Sequence, residues 1–476
     1  MCIRDSVETF LERVEQEDKA LGPVISSAYW ISSNFITYDS QMIVADFGKR
    51  YSLMSVERAN EAATFDSLDL PEDMRRKLDL IKGGFVMPAP LDEELAGELA
   101  DIESELGAMY GSGSHCFSED ECYDLEAFEQ IIDSSRNSDE LLKAWAGWRE
   151  IGKPMKDKYL RMVEIGELGA KDLGYDGLTD LWFSKYDMPA EEFLADTDRV
   201  WEEVKPLYDA LQCHVRDKLV DEYGNDVMPD NGMLPAHILG NMWGQSWANI
   251  YDLVFEEDPN TESIDLTSII QDKNLSEIEM VEIAEDFFLS LGFEPLPDTF
   301  WERSLFVKPQ DRNVVCHASA WDLDPATKDV RIKMCIEKNA EDFVVIHHEL
   351  GHIFYYQAYN HLPSVYRSGA NDGFHEAVGD LLSLSITPDY LTQIGFVSEA
   401  EADAAEKDPI ALLMKQALDG VVCLPWTLML DKWRSGVFTG EITEENLNSS
   451  WWELREKYQG ITSPMTRGED FFDPGA

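Results

Sequence analysis

His348, Glu349 and His352 stand as H-E-x-x-H inside an apolar, helix-forming run, residues 344–352. On a helix, positions i and i+4 leave the same face, so both imidazoles lie roughly 6 Å apart and can hold one cation. Glu349 is spaced to act as a base toward water activated by that cation, not as a ligand. Two imidazoles leave a hydrolytic zinc site one protein ligand short, and Glu376 is the candidate third. It lies in residues 369–380, where a turn signal feeds an apolar helix that stops at Pro388. Asp380, one turn beyond Glu376, is placed to accept a hydrogen bond from the outer nitrogen of a ligand histidine. The competing reading is a solvated acidic helix face with a chance histidine pair. It sits poorly with the apolar flanks, because buried charge is costly unless it is paired or binds metal.

The elements that must position these residues belong to a chain of 476 residues with 44% hydrophobic content, enough to bury a large core. Lys and Arg number 39 against 93 Asp and Glu, a formal net charge of -54, which argues against nucleic acid or an anionic membrane as partner. The excess could attract cationic peptides, or it could be a solvated surface suited to a saline environment. The apolar stretches suggest no transmembrane span, and the first thirty residues lack the basic start and apolar centre of a signal peptide. Residues 1–6 fit poorly with the amphipathic helix that follows and read as a non-native leader in place of a true start.

Helical periodicity dominates. It runs over residues 7–14, 28–55, 71–78 and 91–110, breaks at Gly111, Ser112, Gly113 and Ser114, and resumes over 124–134 and 138–151. Residues 189–223 form the longest stretch, with Val200, Trp201, Val204, Leu207, Leu211 and Leu219 as a core-facing stripe. Residues 232–251 place polar groups among tryptophans, either a cleft lining or a packed core with satisfied amides. With a helix at 276–291, the two zinc helices and an apolar segment at 410–433, the chain reads as one mainly α domain with one small antiparallel sheet beside the zinc site.

That sheet is a hairpin of two alternating runs, residues 314–321 and 330–337, around a turn at Asp324, Pro325, Ala326 and Thr327. This register places Cys316 opposite Cys335, within disulfide reach. Cys116 and Cys122 bracket a short acidic loop with no neighbouring metal-ligand set. Two bridges would indicate an oxidising compartment, periplasm or secretion medium. The alternative is reduced core cysteines, as expected for Cys213 and Cys423.

Together these motifs resemble the angiotensin-converting-enzyme family of zinc peptidyl-dipeptidases. The resemblance rests on residues 316–322, 347–352, 374–380, 242–247 and 451–460, and covers residues 7–476. It implies a mostly helical fold of two lobes around a deep groove, with one zinc ion. It makes His348, His352 and Glu376 the zinc ligands, Glu349 the general base, and Asp380 the support of a ligand histidine. His317 and Ala318, on the hairpin strand, would hold the substrate backbone by strand addition, and Gln245 would grip the C-terminal carboxylate. Cys116 with Cys122, and Cys316 with Cys335, match the family's disulfides. Trp451 and Arg455 match part of a chloride site, although Trp182 is followed by Phe183 where chloride-activated members carry an arginine. The chain ends at Asp473, Pro474, Gly475 and Ala476, before the segment in which the family supplies a lysine, a histidine and a tyrosine to the substrate, so it is expected to be incomplete at its C-terminus.

The implied activity is release of C-terminal dipeptides from peptides with a free carboxylate. The alternatives are a carboxypeptidase that removes one residue, as in a relative carrying arginine at the position of Gln245, and a peptide-binding module without chemistry.

Overall fold

In the computed structural model, the described residues are 3–475 apart from 112, 187, 257–263, 313, 315, 372 and 408–409. Met1, Cys2, Ser112 and Ala476, named above, lie outside them, as do Val315 and Asp372 of the hairpin and turn runs. The protein is mainly α-helical, as the periodicity predicts, and its helices and short strand pairs divide into two compact units. One comprises Met1–Gly84 with Asn260–Asp408, the other Phe85–Pro259 with Pro409–Ala476.

In the first unit the helix Ile3–Asn34 buries Val7, Phe10 and Val14, spaced three and four apart, against Ala62 and Leu78. The periodic run expected over 28–55 is in fact two helices. Ile3–Asn34 ends, and Tyr38–Ala63 begins with a capping box in which Thr37 and Ser40 each satisfy the other's backbone N–H. The main core lies around the helix Ala340–Tyr359. Phe343, Ile346, Leu350, Ile353 and Phe354 are all buried, and Phe354 stacks on Phe288 of the helix Glu277–Ser290 at 4.4 Å.

The hairpin beside this helix pairs Ser319–Asp324 with Asp329–Lys333. Its register differs from the sequence expectation by one residue, since Ser319 faces Lys333 and Ala320 faces Ile332. The cause is local. The turn carries Lys328 in the left-handed region at φ 56 and joins Asp324 to Asp329, two residues more than a tight turn at 324–327, and the irregular step between Asp322 and Asp324 takes one of them back. Cys316 and Cys335 therefore lie beyond the end of the ladder. They still approach to a Cα separation of 5.1 Å and are bonded.

In the second unit Trp145 and Trp148 of the helix Ser138–Gly152 are fully buried, and the long helix Ala190–Tyr223 buries Trp201, Tyr208, Leu211, Val215 and Leu219. The expected stripe holds at Trp201, Leu211 and Leu219. Val200 and Leu207 instead point outward, and Tyr208 takes the inward position. Cys116 and Cys122 are bonded across a second hairpin, Ser114–Ser118 with Glu121–Asp124, and Leu234–Pro235 pairs in parallel with Ile461–Thr462. Among the described residues there are thus three strand pairs, the expected antiparallel one beside the helix Ala340–Tyr359 and two more in the second unit. Cys213 lies outside both disulfides and is exposed rather than in a core. The run Ile410–Thr439 is long and apolar enough to cross a membrane by length and composition, where the sequence suggests no such stretch. In this fold its Leu418, Val422, Trp426, Met429 and Trp433 join the core of the second unit.

Candidate metal centre

The helix Ala340–Tyr359 starts at Asn339, whose side chain accepts from the Asp342 amide at 2.7 Å, and carries Glu341 and Asp342 in its first turn. One face is consumed by the core. His347 on that face is structural, with Nδ1 on the Phe343 carbonyl at 2.8 Å and Nε2 on the Tyr390 hydroxyl at 3.1 Å. The adjoining face presents His348, Glu349 and His352 toward the helix Phe374–Ser383. Two glycines let these helices meet. A Cβ on Gly351 would lie 3.0 Å from the Cα of Gly379, and one on Gly379 would lie 2.8 Å from the His348 ring.

The structure brings the predicted ligands together. Nε2 of His348 lies 3.0 Å from Nε2 of His352 and 3.3 Å from Glu376 Oε2, and His352 Nε2 lies 3.8 Å from Glu376 Oε1. The edge of a tetrahedron with zinc-to-ligand arms is roughly 3.3 Å, so the donor set of two imidazoles and one carboxylate fits a small divalent cation. Asp380 Oδ1 sits 3.0 Å from Nδ1 of His348, the ring nitrogen turned away from His352 and Glu376. Glu349 is nearly buried and its Oε2 has no hydrogen-bond partner among the described residues. A buried carboxylate oxygen left without a donor is costly, which fits a position that meets water or substrate during a reaction. Burial lifts the Glu349 carboxyl to about 7; the His348 imidazole opposes that rise, Glu376 adds to it, and the Lys333 ammonium opposes it. Glu376 and Asp380 are 70% and 73% exposed, so the site has one dry wall carrying the base and one open wall.

Lys333 is a residue that spacing alone does not reveal. It ends its strand 2% exposed, and its Nζ donates to the His317 carbonyl. Burial lowers its pKa while Glu349 raises it, so this ammonium faces the base and the segment before the strand alike. His317 and Ala318 are not on the strand, as the sequence suggests, but immediately before it and outside the ladder. His317 is exposed and Ala318 is partly buried.

Gln245, Trp451 and Arg455 belong to the second unit. The loop carrying Gln245 is held by its carbonyls: Arg149 Nη2 donates to Met242 at 3.3 Å, Arg455 Nη2 to Trp243 at 2.6 Å, and Gln459 Nε2 to Gly244 at 3.2 Å. Gly244 has φ +65, and a Cβ there would press on Arg455 at 3.1 Å. Gln245 itself is half-buried. Of the two readings of residues 232–251, the packed core describes most of it, since His237, Met242 and Trp247 are buried. Arg149 is fully buried, with its guanidinium 4.1 Å from the Trp148 ring centroid. The only sequence signal for it was an arginine following Trp145 and Trp148 on a core-facing helix.

Comparison with known proteins agrees with this geometry. A family model described as angiotensin-converting enzyme matches residues 3–476. Proteins named angiotensin-converting enzyme from Bos taurus and Rattus norvegicus are 38% and 37% identical to 99% and 98% of this chain, which covers 36% and 35% of their lengths. One of the same name from Theromyzon tessulatum is 37% identical over 89% of this chain and 71% of its own length. The chain thus spans about a third of the length of the mammalian relatives. With the match extending over nearly every residue and the ligand set converging as it does, this chain belongs to the angiotensin-converting enzyme family.

Proposed function

We propose that this chain is a zinc peptidyl-dipeptidase domain that releases C-terminal dipeptides. The observation that carries the reading is the convergence of His348, His352 and Glu376 beside a buried Glu349 with a free carboxylate oxygen. When bound, zinc supplies a Lewis acid that polarises a carbonyl and acidifies water. Glu349 then takes the proton of the attacking water and delivers it to the leaving amine. His317 and Ala318, outside the ladder, hold the substrate backbone as an added strand, with Lys333 fixing the His317 carbonyl. Gln245 takes the C-terminal carboxylate of the substrate. The two disulfides support a secreted or periplasmic location.

The test is metal analysis together with a blocked tripeptide assay read by product mass. One zinc per chain and a dipeptide product are expected. Gln245→Arg should shift products toward single residues, because a longer cationic side chain holds the carboxylate nearer the reacting bond. Dipeptides alone, at undiminished rate, would count against Gln245 as the anchor.

A specific observation also favours bound chloride. Trp451 Nε1 and Arg455 Nη1 are buried donors with no partner among the described residues, and both arginine and indole can donate to an anion. Chloride titration at constant ionic strength should raise the unfolding temperature. Trp451→Phe, which deletes one donor, should weaken that response about tenfold, the worth of a hydrogen bond to a charged group. An unchanged response in the variant would remove Trp451 from the site.

A further inference from the structure

The two ligand histidines have different outer partners. Nδ1 of His348 meets the Asp380 carboxylate, but Nδ1 of His352 meets no carboxylate among the described residues and lies 3.3 Å from Nδ1 of His375. Nε2 of His375 in turn lies 2.8 Å from the Tyr359 hydroxyl. We propose that His375 is a positioning residue for His352, itself fixed by Tyr359; the inference rests on the zinc reading above.

Proton placement follows from valence. If Nε2 of His352 gives its lone pair to the metal, its proton is on Nδ1 and must be donated outward. His375 Nδ1 accepts it only as the neutral imidazole protonated at Nε2. That Nε2–H then donates to the Tyr359 oxygen. The chain therefore has one direction when metal is held: His352 to His375 to Tyr359. Without metal the same contacts can be made in reverse, starting from the Tyr359 hydroxyl. Metal binding selects the tautomer of a residue that does not touch the metal.

The fold is built to hold this arrangement. His352, Tyr355, Tyr356 and Tyr359 are spaced three, four and seven residues along one helix, a single face. The three tyrosine rings surround His375 at centroid distances of 4.7, 4.8 and 5.8 Å, leaving the imidazole little room to turn. A neutral imidazole is a weaker acceptor than a carboxylate, so His352 is the less strongly supported of the two histidine ligands.

The experiment measures zinc affinity by chelator competition on the whole chain, independently of turnover. His375→Phe keeps an aromatic ring in the tyrosine cage but removes the acceptor, and should weaken zinc about 10- to 100-fold. His375→Asn places an amide oxygen near the position of Nδ1 and should recover affinity to within a few-fold of wild type. Tyr359→Phe should weaken zinc by a few-fold. Unfolding temperatures in excess chelator identify a variant that merely fails to fold, in which case Tyr359→Phe and His375→Asn decide. Wild-type affinity in His375→Phe, or asparagine no better than phenylalanine, overturns the positioning role. Failure of the zinc reading looks different: the wild-type chain would not bind zinc one to one, or His348→Ala would bind it unchanged.

Discussion

Glu349→Gln is expected to leave zinc bound and to lower turnover by about 100- to 10,000-fold, the usual worth of a general base. Glutamine has the shape of glutamate and fits the same dry wall, so the helix and the ligand histidines should not move. What it loses is the ability to take a proton. Burial holds the native carboxyl at about 7, near the pH at which a base both accepts and gives up protons readily. Glu376→Gln should behave in the opposite order, losing zinc first, because its oxygens converge with the imidazoles. Metal content and tripeptide cleavage measured on the same samples separate the two. Equal zinc loss in both variants would falsify the division into base and ligand.

The second large effect concerns stability. Asp473→Ala is expected to cost about 3–5 kcal/mol, the usual penalty for removing one partner of a buried ion pair. Asp473 is fully buried, receives two hydrogen bonds from Arg467, one from Trp452 Nε1 at 2.7 Å and one from Asn448 Nδ2 at 3.3 Å, and its carbonyl accepts from Arg149. Its deletion leaves buried guanidinium groups without their carboxylate. Urea unfolding of the whole chain measures this, and an unchanged midpoint would mean that the cluster is not structural. The pH dependence has a definite sign. Burial raises the Asp473 carboxyl, but the Arg467 hydrogen bonds and the charge of Arg149 outweigh it and leave it below the ordinary aspartate value. A depressed folded pKa contributes stability above about pH 4, and this is lost as pH falls through the folded value. The wild-type chain should lose this part of its stability in acid, and the alanine variant should not.

The grouping of His348, Glu349 and His352 was legible because helical spacing fixes it: a separation of four positions between the two histidines determines a shared face whatever surrounds the helix. Both disulfides were legible from cysteine spacing and the hairpin pattern. The hairpin register was not, because a left-handed Lys328 and an irregular step at Asp322 to Asp324 leave no mark in an alternating pattern. The parallel pair Leu234–Pro235 with Ile461–Thr462 was illegible for another reason, since two residues give no periodicity. Lys333, Arg149 and His375 take their roles from neighbours distant in sequence. For His375 a local signal was present in the tyrosines that continue the His352 face, and for Arg149 in the tryptophans that precede it; Lys333 carried none.

The interleaved division of the chain has a consequence for its synthesis. The helices of residues 1–84 emerge from the ribosome before residues 85–259, yet residues 260–408 of their own unit follow only after those. At ordinary elongation rates that wait is on the order of tens of seconds, during which Val7, Phe10 and Val14 have only their own hairpin of helices to pack against. His348, His352 and Glu376 all emerge before residues 409–476, which the other unit requires. If these three side chains hold zinc as proposed, a nascent chain can capture it before residues 409–476 are made, and early capture would hold one unit folded while the other still lacks them.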